Sequence, residues 1–305
     1  MSTSGPLVAA VDCGTHSTRM LVTDASGATV DRRMRITRLG QGVDASRRLT
    51  PEAVARTTEV LSEYRAVLAE RGVTRVRAAA TSAARDAVNR DAFLDAAESA
   101  LGARPEILDG EEEARLSFVG AVAELDPADG PFLVADIGGG STELACGREH
   151  PDGVASIDLG CVRVTERFLG SDPPAPDELT NALWAVRDEL GLVVQRVPAF
   201  GEARRFVGLA GTVSAVAAIE MGLTAYDRDR IHHAELSRSA VEEVFRTLAT
   251  ESRAHRRHNP GLEAERVEVI VGGVVVLIAI LRHFGFDACL VSEADILDGL
   301  AASLR

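Results

Sequence analysis

Residues 132–147 read FLVADIGGGSTELACG, and this stretch is the most informative part of the chain. Two short apolar runs flank a glycine cluster, which predicts two β-strands joined by a tight turn. Asp136 closes the first run, and three glycines follow: Gly138, Gly139 and Gly140. Because glycine tolerates positive φ and has no side chain, such a turn can bring successive peptide N–H groups close to an anion. The stretch therefore predicts a phosphate-binding hairpin, although an ordinary glycine-rich turn has the same composition.

The side chains around this turn favour the phosphate interpretation. Asp136 offers a carboxylate to a hydrated cation, and Ser141 and Thr142 offer hydroxyl donors. A P-loop would need a lysine after its glycines, and a dinucleotide-binding turn would lead into a helix rather than a strand. Neither of these nucleotide-binding motifs fits the sequence.

A second copy of the pattern lies near the start of the chain. Residues 12–18 read DCGTHST and residues 136–142 read DIGGGST, so both follow D-x-G-x-x-S-T between apolar, strand-like runs. The corresponding residues of the first copy are Asp12, Gly14, Ser17 and Thr18. The copies lie too far apart for a solenoid repeat. They predict two related domains, whose hairpins face a cleft and hold a polyanion together with a divalent cation. Asp12 and Asp136 are the expected metal ligands.

Length and composition agree with a two-domain cytoplasmic protein. The chain has 305 residues, 46% of them apolar and 26% charged, which is typical of a soluble globular protein of about two domains. Its four cysteines form no C-x-x-C pair, which favours reduced thiols over disulfides or zinc. The first residues lack the basic region of a signal peptide, and the apolar stretch 269–281 is too short for a membrane span. That stretch predicts a buried core helix or strand.

The net charge of −13 excludes a general affinity for nucleic acid or anionic membranes. If the ligand is a polyanion, the positive potential must be local, and arginines cluster in residues 75–90 and 252–261. We expect most of these arginines on solvated faces. Arg85 is the exception, because it follows a small-residue strand at a predicted strand-to-helix turn.

Turn residues predict where the two domains meet. The segment DPADGP, residues 126–131, suits a boundary between a first domain of residues 1–125 and a second of residues 126–293. The C-terminal helix, residues 294–305, is predicted to return to the first domain. Within the second domain, a strand and a helix flank Gly211 and Thr212, which predicts either a third phosphate contact at a helix N-terminus or tight glycine packing.

The predicted halves resemble the actin-like, ribonuclease-H-like fold, an α/β class with one hairpin in each domain. More closely, the chain resembles the exopolyphosphatase / guanosine pentaphosphate phosphohydrolase (Ppx/GppA) family in its short two-domain form. The segments that carry the resemblance occur in order: DCGTHSTRML, AAATSAARDAVN, EILDGEEEARLSFVGA, DIGGGSTEL and GLAGTVSAVAA. They cover most of the chain to about residue 220.

The resemblance implies roles for individual residues. Glu113 is the general base for the attacking water, Glu143 orients the metal or the water, and Arg85 neutralises the anion. Magnesium is the implied cofactor, organised by Asp136. The phosphate-binding residues are Gly14, Thr15, His16, Ser17, Gly138, Gly139, Gly140 and Ser141, with Gly211 and Thr212 as further candidates. His16 stands where the family usually has Asn, and SEADILDG, residues 292–299, stands where many members have an Arg-containing motif.

Periodicity alone leaves the identity of the base open. Glu111, Glu112 and Glu113 begin a predicted helix and point about 100° apart. Taking Leu116, Val119 and Ala123 as the packed face leaves Glu112 and Glu113 as candidates, and the resemblance favours Glu113. The alternative is that all three acids only stabilise the helix N-terminus.

Three functions compete on these residues. The first is release of terminal phosphate from inorganic polyphosphate, or of the 5′-phosphate from guanosine pentaphosphate, by a protein for which the resemblance implies a homodimer. The second is an ATP-dependent kinase of the same fold, and the third is a catalytically weak polyphosphate or alarmone sensor. EEEARL together with DIGGGSTE favours hydrolysis. The histidine pairs 232–233 and 255/258 lack an evident third metal ligand, so we expect them at the surface.

Overall fold

The structure, a computed structural model, describes residues 6–305. Contacts divide the chain into two compact units. The first contains the residues up to Gly120 together with Ile296–Arg305, and the second contains Ala121–Asp295. These limits lie within five residues of the predicted domain boundaries at 125 and 294. Whether each unit folds as an independent domain stays a prediction.

Each unit contains one β-sheet. The strands of the first are β1 (Val8–Cys13), β2 (Ser17–Thr23), β3 (Thr29–Ile36), β4 (Arg75–Ala80) and β5 (Glu106–Ile107). Those of the second are β6 (Phe132–Ile137), β7 (Thr142–Gly147), β8 (Pro151–Ile157), β9 (Arg205–Leu209), β10 (Glu235–Ser237) and β11 (Ala288–Val291).

The α-helices lie between and after these strands. They are α1 (Val43–Ser46), α2 (Pro51–Glu70), α3 (Ser82–Asp86), α4 (Arg90–Leu101), α5 (Gly110–Val122), α6 (Cys161–Phe168), α7 (Pro176–Arg196), α8 (Ala210–Glu220), α9 (Arg228–Ile231), α10 (Arg238–Thr250), α11 (Arg253–Arg256), α12 (Ile270–Phe284) and α13 (Ile296–Ala302). Short 3-10 turns occupy Pro127–Asp129, Pro198–Glu202 and Ala264–Arg266. Among the described residues, no helix is both long and apolar enough to cross a bilayer.

The two sheets share one topology, which confirms the predicted fold class. The first has the order β3-β2-β1-β4-β5, and the second contains the same arrangement as β8-β7-β6-β9-β11 with β10 added at the edge. β1 pairs antiparallel with β2 and parallel with β4. β6 pairs in the same way with β7 and β9. The D-x-G-x-x-S-T copies therefore form equivalent turns, between β1 and β2 and between β6 and β7.

Burial on both faces explains why β1 is apolar without alternation. Its residues are all buried. Val11 belongs to the apolar cluster that includes residues of α2 and α4, whereas the neighbouring Ala10 packs with residues of α13. A strand covered on both sides needs apolar side chains at every position. The helix predicted to return to the first domain is thus the cover of one sheet face in the first unit.

The apolar stretch 269–281 forms α12, the central helix of the second unit. Every residue from Ile270 to Leu281 is buried. Two adjacent glycines in this helix permit close packing, because a Cβ on Gly272 would lie 2.4 Å from Thr165 Oγ1 and one on Gly273 would lie 2.2 Å from Thr212 Oγ1. Of the two forms predicted for this stretch, the helix is the correct one.

Local signals located many element ends, but several short helices were missed. Thr50 caps α2 by accepting a hydrogen bond from the Ala53 N–H at 3.2 Å, and Pro51 occupies the first helical position, so a start signal readable in the sequence is confirmed. The bounds of α4 are those predicted. The short helices α3 and α6 were not predicted, because five and eight residues are too few to show a helical period clearly. The helix predicted over 111–125 ends at Val122, so Ala123 is exposed and lies beyond it.

Arg256 contradicts the expectation that the arginines of its segment are solvated. Its side chain is buried, and its guanidinium donates hydrogen bonds to the carbonyl oxygens of Leu248 (2.8 Å), Glu251 (2.7 Å) and Val267 (3.1 Å). Two of these carbonyls end or follow α10, where helix carbonyls lack partners within the helix. The buried cation therefore caps α10 and joins it to the segment before α12.

We expect Arg256→Met to lower the free energy of unfolding by about 2–4 kcal/mol, because three carbonyls lose a charged donor. Arg257→Met, at the exposed neighbouring position, should change it by no more than about 0.5 kcal/mol. Urea denaturation followed by circular dichroism measures both. Equal stability of the two variants would contradict the capping role of Arg256.

Candidate active site

The two glycine turns are tight for a different reason from the one predicted. Neither Gly14 nor Gly138 has positive φ. A Cβ on Gly14 would lie 2.9 Å from the Ser17 carbonyl oxygen, and one on Gly138 would lie 3.1 Å from that of Ser141. Glycine is required at these positions because the backbone closes on itself, and not because of a left-handed conformation.

The turn in the second unit is held from behind by the first residues of α6. The N–H of Cys161 donates to the Gly138 carbonyl at 2.9 Å, and the N–H groups of Val162 and Arg163 donate to the Gly139 carbonyl at 2.9 and 3.2 Å. In a trans peptide the carbonyl and the following N–H point in opposite directions. The N–H groups of Gly139 and Gly140 therefore point away from α6.

Gly160 permits this arrangement, because a Cβ there would lie 2.5 Å from the carbonyl oxygens of both Gly138 and Gly139. A side chain at this position would push α6 away from the turn. Sequence reasoning missed this contact, and the glycine at the predicted end of the third strand was the signal available.

In the first unit the loop 37–40, instead of a helix, donates hydrogen bonds to the carbonyl groups of the turn. The Gly40 N–H donates to the Thr15 carbonyl at 2.9 Å, and the N–H groups of Thr37 and Arg38 donate to the His16 carbonyl at 3.1 and 2.9 Å. By the same peptide geometry, the N–H groups of His16 and Ser17 point away from the loop 37–40. Each unit thus presents two successive N–H groups from its turn, which is the arrangement that binds anions.

The matched threonines are anchors rather than ligands. Thr18 Oγ1 lies 2.9 Å from Thr37 Oγ1, and Thr142 Oγ1 donates to the Leu159 carbonyl at 2.8 Å. Both hydroxyls are buried, and both tie the hairpin to the segment that follows its third strand. In each S-T pair the threonine therefore anchors the hairpin, and the serine, Ser17 or Ser141, remains at the turn as the candidate phosphate ligand.

The strand residues opposite the two aspartates differ in charge. Asp12 pairs across the β1–β2 ladder with Arg19, whose Nη2 lies 2.6 Å from Asp12 Oδ2. Asp136 pairs across the β6–β7 ladder with Glu143, which accepts a hydrogen bond from Ser156 Oγ at 2.9 Å. Asp12, Asp136 and Glu143 are all buried. The first turn thus carries a neutralised acid, whereas the second carries two neighbouring acids.

Glu113 is the buried member of the three acids that begin α5. Its side chain is 11% exposed, against 63% for Glu111 and 43% for Glu112. The Asp109 carboxylate accepts from the Glu112 N–H at 2.8 Å and sets the start of the helix. The packed-face argument was wrong in detail, since Val119 is only half-buried, but the burial favours Glu113 over Glu112.

Arg85 contacts Glu113 within the first unit. Its Nη1 donates to Glu113 Oε2 at 3.2 Å and to the Leu108 carbonyl at 2.9 Å. Arg85 lies on α3, directly after β4, and Glu113 follows β5, so the parallel β4–β5 pair brings both to one edge of the sheet. The sequence did not indicate this contact with the carboxylate, and the role of Arg85 in neutralising the anion stays a prediction.

The third glycine turn is closely packed by protein atoms. A Cβ on Gly208 would lie 2.7 Å from Cys289 Sγ, and one on Gly211 would lie 2.0 Å from an Arg266 guanidinium nitrogen. Thr212 is buried against Gly273 of α12. These contacts agree with the packing alternative, and phosphate binding by Gly211 and Thr212 stays a prediction.

Thiol chemistry does not suit this site. Burial raises the pKa of Cys161 to about 11, even though its own helix N–H groups and Arg266 act in the opposite direction. Burial also raises the pKa of Cys13, next to Asp12, well above its usual range. Both thiols therefore stay protonated at neutral pH and are poor nucleophiles.

Comparison with known proteins identifies the family of the chain. Residues 21–304 match the model of the Ppx/GppA phosphatase family. Exopolyphosphatase 2 of Mycobacterium tuberculosis is 44% identical, over 97% of this chain and 98% of its own length. A guanosine-5'-triphosphate,3'-diphosphate pyrophosphatase of Photobacterium profundum is 30% identical over 97% of this chain, which spans 58% of that longer protein.

Solved structures agree as well. The crystal structure of the Aquifex aeolicus Ppx/GppA family member superimposes with a TM-score of 0.81 at 29% identity, over 98% of this chain and 97% of that one. The family match extends well beyond residue 220, where the sequence resemblance weakened. The chain belongs to the Ppx/GppA phosphatase family.

Proposed function

We propose that this protein hydrolyses phosphoanhydrides, releasing terminal phosphate from inorganic polyphosphate and, as a second substrate, the 5′-phosphate of guanosine pentaphosphate. The observation that carries the proposal is the buried Glu113 carboxylate, oriented by Arg85 at the edge of a sheet. The relatives named for these two activities support the two substrate classes.

Phosphoryl transfer to water requires a positioned water, a proton acceptor and donors for the phosphate oxygens. Glu113 is the proposed proton acceptor. Its contact with Arg85 leaves the carboxylate in one orientation, which a base needs in order to hold a water in line. Glu111 and Glu112 are more exposed, and their partner Arg115 is itself at the surface.

The N–H groups of the two turns are the proposed phosphate donors. Those of Gly139 and Gly140 point away from α6, and those of His16 and Ser17 point away from residues 37–40. Backbone donors suit a substrate of repeating identical phosphates, because they recognise oxygens without selecting a base or sugar. His16 contributes through its backbone, so its difference from the usual Asn leaves this donor in place.

Magnesium is the proposed cofactor. Asp136 and Glu143 fit it, because two buried carboxylates on adjacent strands form an oxygen donor set of the kind this ion prefers. Asp12 fits it less well, since Arg19 already neutralises this carboxylate. When bound, the ion would offset the charge of the phosphates, and Asp136 and Glu143 would hold it through oxygen atoms or through water.

The same site supports a weaker alternative, a polyphosphate or alarmone sensor. The turns would then bind phosphate while turnover stays slow. Orthophosphate release from long-chain polyphosphate with magnesium, compared with ATP alone, separates the functions. Release from polyphosphate supports the hydrolase, binding without release supports the sensor, and phosphate transfer from ATP to an acceptor supports a kinase.

We further propose that the protein works in the cytoplasm as a homodimer, without a nucleic-acid partner. Four buried thiols suit a reducing compartment, and the net charge of −13 opposes binding to nucleic acid.

We expect Glu113→Gln to bind polyphosphate normally and to turn it over about 10²–10⁴-fold more slowly, because the amide cannot accept the proton. Glu111→Gln, at an exposed position on the same helix turn, should retain the wild-type rate. Orthophosphate release and polyphosphate binding are measured on both variants. Loss of activity in Glu112→Gln but not in Glu113→Gln would move the base by one residue, and full activity in all three would rule out a base on α5.

Asp136→Asn and Glu143→Gln should each raise the Mg²⁺ concentration for half-maximal activity by about 10–100-fold, because each removes one negative charge from the pair. Asp129→Asn, an exposed carboxylate in the same unit, is the matched control and should leave the Mg²⁺ dependence unchanged. Initial rates over a series of Mg²⁺ concentrations give the comparison. Full activity in excess chelator would contradict the proposed cofactor.

A further inference from the structure

Three potential metal ligands meet in the second unit, outside the hairpin and its acids. Glu124 follows α5, and His232 and His233 lie between α9 and β10. One ligand atom from each side chain lies within 4.8 Å of the others. The two histidines are half-buried rather than at the surface, and the third ligand that the sequence did not reveal is Glu124.

The side chain of His232 is hydrogen-bonded to the carboxylate of Glu124. Its Nε2 lies 3.1 Å from Glu124 Oε2, and its Nδ1 accepts a hydrogen bond from the Glu293 N–H at 3.0 Å. Because Nδ1 is an acceptor, the proton of the neutral ring must lie on Nε2 and be donated to Glu124. Glu124 therefore accepts a hydrogen bond from a neutral imidazole.

His233 carries two features that point to a missing ligand. Its backbone is left-handed, with φ of 62°, and its N–H donates to the Val291 carbonyl at 2.7 Å. Its Nε2 is buried, and within residues 6–305 it has no hydrogen-bond partner. A strained backbone and a buried polar atom without a partner are each costly, and such features concentrate at ligand sites.

We propose that Glu124, His232 and His233 bind a divalent transition-metal ion of the zinc type. Two imidazoles and one carboxylate are the donor set that zinc accepts, with a fourth position left for water. Magnesium prefers oxygen ligands and binds poorly to imidazole nitrogen. This site therefore differs in its chemistry from the proposed magnesium site at Asp136 and Glu143.

Binding requires local rearrangement. The two imidazole rings stack with their centroids 3.8 Å apart and their planes at 29°, so one ring must turn to direct its lone pair at a shared ion. If the ion binds at Nε2 of His232, the single proton of the neutral ring must move from Nε2 to Nδ1 by exchange with solvent. Nδ1 then cannot accept from the Glu293 N–H, and that contact must open.

This rearrangement couples the ion to the C-terminal segment of the second unit. The Glu293 carboxylate accepts hydrogen bonds from the hydroxyls of Ser214, on α8, and Tyr226. Glu293 lies in the SEADILDG segment, which departs from the family pattern. When the metal binds, loss of the hydrogen bond from the Glu293 N–H to His232 should therefore change the local environment of Glu293.

The test is Zn²⁺ binding by the full chain after treatment with chelator, measured by competition with a chromogenic chelator. Glu124→Gln and His233→Asn should each weaken Zn²⁺ binding by at least about 10-fold, the lower end of the range for altered metal sites. Asparagine is chosen at 233 because it tolerates the left-handed backbone. The variant His255→Asn/His258→Asn, at exposed histidines, should bind as the wild type does.

Two further measurements complete the test. Glu124 is 60% exposed, so Glu124→Gln should fold normally, and an unchanged circular dichroism spectrum confirms this. In NMR spectra, Zn²⁺ should shift the ring signals of His232 and His233 and the backbone amide of Glu293. The proposal is overturned if both Glu124→Gln and His233→Asn bind Zn²⁺ with wild-type affinity. It is also overturned if Zn²⁺ shifts only the NMR signals of His255 and His258. Neither outcome depends on the phosphatase activity.

Discussion

The carbonyl groups of each hairpin turn accept hydrogen bonds from a neighbouring segment of the same unit, and each proposed phosphate-binding turn depends on this constraint. A trans peptide whose carbonyl is held by one neighbour must direct the next N–H to the opposite side. In the second unit the N-terminus of α6 holds the carbonyls, and in the first unit the loop 37–40 holds them. Donors oriented in advance bind an anion without having to be ordered when it arrives.

This constraint extends from the turn into the core. α6 can hold the turn because Gly160 permits close approach, and α6 is itself packed against the buried α12 at Gly272. The apolar interior of α12 is thus connected to two peptide N–H groups through one short helix. Packing, rather than the intrinsic preference of the glycines, determines the direction of these donors.

The two related hairpins differ in the charge of the residue that lies opposite the aspartate of each motif. They share strands, register and anchoring threonines, yet Arg19 occupies the position in the first that Glu143 occupies in the second. A buried acid beside an arginine is neutralised, whereas two buried acids side by side favour a cation. The proposed difference in role between the two hairpins rests on the single residue opposite each aspartate.

Much of the fold followed from local patterns. The duplicated D-x-G-x-x-S-T motif, the cap at Thr50 and the apolar stretch of α12 are properties of neighbouring residues, and they predicted two α/β units with equivalent hairpins. The short helix α6 was missed because its eight residues make only about two turns, too few for a periodic pattern to stand out. The burial of Arg256 was also missed, since a charged segment is indistinguishable from a solvated one until its carbonyl partners are known.

The sequence by itself determined the family, the two hairpins and the acids that accompany them, because each is a contiguous motif. Only the tertiary structure decided which acid has a defined environment. Glu112 and Glu113 are adjacent on α5, and the contact of Arg85 with Glu113 arises from the parallel pairing of β4 and β5. The meeting of Glu124 with His232 and His233 was equally hidden. Contacts between residues far apart in the chain depend on how the elements pack, and no local pattern encodes them.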